Sequence, residues 1–207
     1  MIKVVLFDID GTLIDSAEAN WMFHNTLSKK YGGRQLDFEE YKNNFYAYPM
    51  RPLIKTCCPK LTEKQLDQAC EYGISIYPRF HEFIKVNKNA IKLLEKLHGK
   101  YRLGIVTSRI GTKILDELGE FGIRNLFEHI TTFNDYTKPK PDPEPMLVAL
   151  KKFSVDPSET VYVGDNQKDV DSAKGAGLKS IIFGGAAKGD WNITDFMDIL
   201  DILNNLK

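Results

Sequence analysis

Short runs of consecutive apolar residues recur along the chain at positions 4–7, 103–106, 129–133, 161–163 and 180–183. Each is too short for a helix and lacks the in–out alternation of a half-exposed strand. Such runs are expected of strands covered on both faces. Between the later runs, apolar residues return at helical spacing. Ala90, Ile91, Leu94 and Leu97 form one stripe, closed by Gly99; Ile114, Leu115 and Leu118 form another. Met146, Leu147, Leu150 and Phe153 form a third, and Phe196, Ile199, Leu200 and Leu203 end the chain. Continuous apolar strands alternating with amphipathic helices predict an α/β fold, a doubly wound parallel sheet with helices on both faces.

Residues 16–84 break this rhythm. Their stripes are helical throughout: Phe23, Leu27 and Tyr31; Phe38, Tyr41 and Phe45; Leu66, Ala69, Cys70, Ile74 and Tyr77. Asp15 with Glu18, Asp37 with Glu40, and Thr62 with Gln65 have the spacing of a capping box. The segment reads as an all-helical domain inserted after the first strand, 16–84, within an α/β core made of 1–15 and 85–207. The aromatic stripes are read first as helix–helix core.

Totals narrow the function classes. The 207 residues carry 28 basic and 28 acidic side chains, a formal net charge of zero. No basic excess points to nucleic acid, and no acidic tail points to disorder. Three cysteines, Cys57, Cys58 and Cys70, form no CxxC pair, so reduced thiols are expected rather than disulfides or a structural zinc site. The chain opens almost at once on a strand, without a signal-peptide pattern, and no apolar run approaches the roughly 20 residues of a membrane span. A cytoplasmic protein, monomer or homodimer, is expected.

The informative polar groups follow the apolar runs. Asp8, Asp10, Gly11 and Thr12 follow the first; Thr107, Ser108 and Arg109 the second; Lys138 and Lys140 the third; Asp165 and Asp169 the fourth. Each has an ordinary structural explanation. Asp and Gly make turns, Thr107–Ser108 and Asp165 suit helix N-caps, and the prolines around Lys138 and Lys140 stiffen a connection. In a parallel sheet, however, all of these lie at one edge, where open α/β sheets bind ligands. Asp8 and Asp10, two apart in extended chain, share a face and repel unless a cation or proton lies between them. A hard cation such as Mg²⁺ takes oxygen ligands of this kind.

In this order, "DIDGT", "TS", "KPDP" and "GDNQKD" running on into "DVDSAKGAG" resemble the motifs of the haloacid dehalogenase-like phosphohydrolases. The likeness spans residues 8–177 and is nearest to the phosphoglycolate phosphatase-like branch, with a helical cap after the first strand. It implies a Rossmann-like core and Mg²⁺. Asp8 would be the nucleophile that forms an aspartyl-phosphate, and Asp10 the general acid and base. Lys140 would meet the phosphate, with Lys138 the alternative because both start a KPxP pattern. Thr107, Ser108, Gly11 and Thr12 would line the phosphate site. The metal would be held by Asp8, the backbone carbonyl of Asp10 and Asp165, with Asp169 behind them. In the cap, Arg51, and with it Lys55, could meet an anionic substrate tail or be surface charges.

The expected substrate is a small phosphorylated metabolite. A phosphomutase or pyrophosphatase of the same build stands as the alternative, and a non-catalytic phosphate-binding protein follows behind. Asp10 argues against a dehalogenase, and the lack of GxGxxG after the first strand argues against a dinucleotide-binding protein.

Overall fold

The structure, a computed structural model, describes residues 1–46, 48–109, 111–185 and 187–206, and only the backbone of 111–114. The chain divides into two compact units, Met1–Ile14 with Val86–Lys207, and Asp15–Lys85.

The first unit is built on a parallel sheet. Its strands are β1 (Val4–Phe7), β4 (Arg102–Val106), β5 (His129–Thr131), β6 (Thr160–Gly164), β7 (Lys179–Phe183) and β8 (Trp191–Ile193). A separate two-stranded pair, β2 (Ile14–Asp15) and β3 (Lys85–Val86), occurs where the chain leaves and re-enters the unit. The main sheet runs β5-β4-β1-β6-β7-β8, with every pairing parallel. Counted within this sheet the order is 3-2-1-4-5-6, the doubly wound Rossmann-like arrangement. Direction reverses between β1 and β6, which places the switch point at their carboxyl ends. Phe7 is level with both Ile105 and Val163, so the segments after all three central strands leave the same edge together.

The sheet is apolar because both faces are covered. β1 is fully buried along its length, and Leu6, Val106 and Tyr162 share a core with Met146, Leu150 and Phe153 of α7 (Glu144–Phe153). Each such side chain contributes roughly 1.5–3 kcal/mol on burial. On α5 (Lys88–Leu97), Ala90, Leu93, Leu94 and Leu97 are buried at helical spacing, and the Asn87 side chain caps the helix by accepting from the Asn89 and Ala90 amides.

Several sequence expectations change. β8 was absent from the apolar runs because Trp191-Asn192-Ile193 is a short edge strand with a polar centre. The run at 129–133 shortens to His129–Thr131. Phe133–Asp135 instead form a 3₁₀ turn, and the Asp135 carboxylate accepts from the Thr132 amide and hydroxyl. Leu115 and Leu147 are exposed, because a residue next to a stripe lies about 100° around the helix from it. The side chain of Ile114 lies outside the described residues.

The second unit holds α1 (Ala17–Lys30), α2 (Phe38–Asn44), α3 (Met50–Cys57), α4 (Glu63–Ile76) and a 3₁₀ segment (Tyr77–Phe83). Phe23, Leu27, Tyr41, Leu53, Leu66 and Phe80 are buried, as expected of helix–helix core, whereas Ile74 is exposed. The Thr62–Gln65 capping box forms with both arms. Asp37 caps α2, but Glu40 turns to Arg34 instead of reaching back. Asp15 is not the α1 cap; its carboxylate accepts from the amide of Ala17, the first residue of the helix, and Ser16 holds the cap position. Cys57, Cys58 and Cys70 are free thiols. Among the described residues no helix is long and apolar enough to cross a membrane.

Candidate active site

β1 ends at Phe7 and presents Asp8 at the switch point, its amide donating to the Val163 carbonyl of β6 at 2.8 Å. The chain then turns tightly. The Gly11 amide donates to the Ile14 carbonyl, and the Thr12 and Ile14 amides donate to the Ile9 carbonyl. Gly11 adopts φ +77°, and a Cβ there would lie 2.1 Å from an Asp165 carboxylate oxygen. The turn therefore needs glycine twice over, for conformation and for room. Gly11→Ala is expected to cost about 1–3 kcal/mol in stability and to displace Asp165. Thermal melts and activity measured together will show both losses; a variant with wild-type values for both would contradict this packing.

From β6, Gly164 leads into Asp165 and then α8 (Gln167–Gly175). Asn166 caps the helix, its side-chain oxygen accepting from the Lys168 and Asp169 amides. Asp169 is fully buried in the first turn. Its Oδ2 accepts from the amides of Asp165 (3.2 Å) and Asn166 (3.3 Å), and its Oδ1 accepts from Lys140 and Tyr162. Asp169 thus fixes the Asp165 backbone and a buried lysine at once. A Cβ at Gly185 would lie 2.1 Å from the Asp165 carbonyl oxygen, so the loop after β7 packs directly on the same residue.

Asp8, Asp165 and Asp169 each bring one carboxylate oxygen within 4.8 Å of the others. The Lys140 ammonium enters this cluster, 3.1 Å from Asp8 Oδ1 and 2.7 Å from Asp169 Oδ1. Burial pushes the Asp8 carboxyl up to about 7; Lys140 opposes this, while Asp169 and Asp10 add to it. Burial, then Asp8 and Asp169, push Asp165 up to about 8. Burial alone would lower the Lys140 pKa, but Asp169 and Asp8 outweigh it and hold the ammonium charged. One cation shared among three close carboxylates leaves excess negative charge, all of it on oxygen. That donor set suits a second, hard cation.

Of the two candidate lysines, the fold brings Lys140 to the cluster. Lys138 is exposed, and its backbone amide donates to Glu144 Oε2 at 2.8 Å. Asp10 lies outside the three-carboxylate group. Arg109 holds it with two bonds of 2.7 Å, Nε to Oδ2 and Nη2 to Oδ1, and also binds the buried Glu117 of α6 (Gly111–Glu120). Thr107 is buried; its amide donates to Thr131 and its hydroxyl accepts from the Arg109 amide. Ser108 is exposed. The Thr12 hydroxyl is buried without a hydrogen-bond partner. In the helical unit Arg51 is bound to Asp67 and to Glu63 Oε2 (2.7 Å), on a solvent-exposed face, and Lys55 donates to the Leu61 carbonyl.

Sequence reasoning passed over Tyr162, although a phenol inside a buried strand needs a partner and so signals a polar neighbour. It also passed over Glu117, for which no local signal exists.

A family model of haloacid dehalogenase-like hydrolases matches residues 5–183. The chain belongs to this family. The pyrophosphatase PpaX of Bacillus velezensis is 33% identical over 185 residues, covering 86% of this chain and 82% of that protein. Among solved structures, a HAD-superfamily hydrolase of subfamily IA from Geobacter sulfurreducens PCA has a TM-score of 0.79 and 28% identity, covering 98% of this chain and 96% of the other. A predicted phosphoglycolate phosphatase from Haemophilus somnus 129PT has a TM-score of 0.83 at 24% identity, covering 98% of each chain, and shares the fold. The family that the short motifs resemble is thus the one whose model matches residues 5–183.

Proposed function

We propose that this protein is a Mg²⁺-dependent phosphohydrolase that works through an aspartyl-phosphate on Asp8. One observation carries the reading: at the switch point of the sheet the carboxylates of Asp8, Asp165 and Asp169 converge, with the Lys140 ammonium bound to Asp8 and Asp169. Membership of the hydrolase family supports it. Pyrophosphate is the first substrate to test, since the relative at 33% identity is a pyrophosphatase. The helical unit is read as the cap that selects among small phosphorylated substrates; Arg51, its guanidinium bound to Asp67 and Glu63, is read as a surface charge.

Mg²⁺ held by Asp8 and Asp165, with the Asp10 carbonyl, would supply positive charge that offsets the negative charge of the phosphoryl group. The remaining work falls to the chain. Asp8 supplies the attacking oxygen; a P–O bond forms to it as the bond to the leaving oxygen breaks. Lys140 and the hydroxyls of Thr107, Ser108 and Thr12 neutralise or bind the phosphoryl oxygens, most strongly where charge spreads in the transition state. Asp10 protonates the leaving oxygen, then takes a proton from the water that opens the aspartyl-phosphate and releases inorganic phosphate. Both Asp10 oxygens accept from Arg109 here, so proton transfer requires that Arg109 release one of them. Asp169 orders Asp165 and Lys140 from behind.

The test is phosphate release from a panel of pyrophosphate, phosphoglycolate, sugar phosphates and nucleotides, with Mg²⁺ and with Asp8→Asn beside wild type. Release by wild type alone is expected; release by neither would overturn the reading. Metal binding has an independent readout. At 100-fold its dissociation constant, Mg²⁺ is expected to stabilise the protein by about 2.7 kcal/mol, seen as a raised melting temperature. Asp165→Asn should lose most of that shift, and an equal shift in both proteins would place the ion elsewhere.

A further inference from the structure

We propose that Tyr162 is a positioning residue, whose hydroxyl aims the Lys140 ammonium at the phosphoryl group. The inference rests on the phosphohydrolase reading and goes beyond it. Tyr162 lies in the middle of β6, wholly buried, and its ring packs in the core with Leu6, Val106, Met146 and Phe153. Its hydroxyl points into the carboxylate cluster. It accepts from Lys140 Nζ at 3.0 Å and donates to Asp169 Oδ1 at 2.9 Å, with the Val106 carbonyl farther away at 3.4 Å.

An ammonium has three protons in a tripod and no other directional preference. For Lys140 the three acceptors in this structure are Asp8 Oδ1, Asp169 Oδ1 and the Tyr162 hydroxyl; to bind phosphate, the proton now given to Asp8 turns to a phosphoryl oxygen while Asp169 and Tyr162 hold the other two. Two are carboxylates and attract it from any direction. The hydroxyl is neutral, so it adds little attraction but completes the triangle that sets the ammonium's orientation. It is also tied to Asp169 itself, so lysine, phenol and carboxylate form a closed ring of hydrogen bonds. The phenol is carried by a central strand, and the lysine by a flexible four-carbon stem. Without the hydroxyl, Lys140 keeps its charge and both carboxylates but can pivot about them. Position within a few tenths of an ångström is what transition-state stabilisation by a fixed cation requires.

Tyr162→Phe removes one oxygen and keeps the ring, so the core is retained. Three measurements test the inference on the full chain: melting temperature, steady-state kcat and KM, and inorganic phosphate affinity by calorimetry in Mg²⁺. Each is repeated in a Lys140→Ala background. The expected result is a folded protein with a melting temperature modestly below wild type, because a buried hydroxyl bonded to two charged groups is lost, and with kcat/KM and phosphate affinity each falling about tenfold. In the Lys140→Ala background the same change should cost less than about twofold, because the hydroxyl would have no ammonium left to aim. Wild-type turnover and phosphate affinity in Tyr162→Phe would overturn the proposal. An equal loss in both backgrounds, or an unfolded Tyr162→Phe, would also overturn it by assigning the hydroxyl to stability. Should wild type hydrolyse nothing on the panel, the functional reading fails by itself. Phosphate binding then decides the role of Tyr162: a Lys140-dependent loss supports it, and unchanged or absent binding overturns it.

Discussion

Asp8→Asn is expected to reduce turnover at least about 10³-fold while leaving the fold in place. The asparagine oxygen occupies the same space but carries no negative charge with which to attack phosphorus. Stability should survive, because the ionised Asp8 is itself poorly placed. Its carboxyl rises from 3.8 to about 7, through burial first and the neighbouring carboxylates after it, despite Lys140. A folded-state value above the unfolded one fixes the sign. The contribution to stability is fully present below about 3.8 and is lost as pH rises through about 7. In chelator, wild type should therefore lose stability across this window, and Asp8→Asn should lose less. Parallel melts against pH, beside phosphate release, measure both effects. Normal turnover by Asp8→Asn would remove the nucleophile assignment outright.

Lys140→Ala is the second large effect, and here activity and stability should fall together. The ammonium is buried against Asp8, Asp169 and Tyr162. Its loss leaves carboxylates packed against one another with no counterion, a change that typically costs about 3–5 kcal/mol. Activity should fall about 10²–10³-fold, the usual range for removing one preorganised donor from a developing anion. Part of the stability loss should return with Mg²⁺, which supplies charge to the same carboxylates. Lys138→Ala is the internal control. Its side chain is exposed, and only its backbone amide is engaged, so stability should stay within about 0.5 kcal/mol of wild type. A larger activity loss at Lys138 than at Lys140 would transfer the phosphate role by two residues.

Much of the fold was legible because its signals are local. Four of the five apolar runs became strands over nearly their whole length, since a doubly covered parallel strand has no polar face to disguise it. β8 escaped because an edge strand of three residues buries too little to leave a pattern. Leu115, Leu147 and Ile74 were placed on buried stripes and are exposed, because spacing gives the direction of a helix face but not its width. At the site, Asp8 and Asp165 could be picked out from their place at strand ends, where topology alone brings side chains together, and Asp169 from its spacing four residues on, in the first turn of α8. The partners of Arg109 could not. Asp10 lies 99 residues away and Glu117 on a following helix, and no periodicity links them.

The sequence by itself determined the strand–helix alternation, the helical insertion, the family and the acidic motifs. The alternation and the insertion follow from short-range spacing, the acidic motifs from residue chemistry, and the family from the resemblance of those motifs to known ones. The sequence favoured Lys140 over Lys138, but only tertiary structure brings its ammonium to the carboxylates, turns Asp10 to a guanidinium and ends a core tyrosine in the site. The reason is physical. A side chain's charge and reach are written in its own residue, but its partner is selected by the packing of strands and helices far apart in the chain. Lys138 and Lys140 differ by two residues in sequence. Only the folded sheet makes one of them the buried counterion of Asp8 and leaves the other in water.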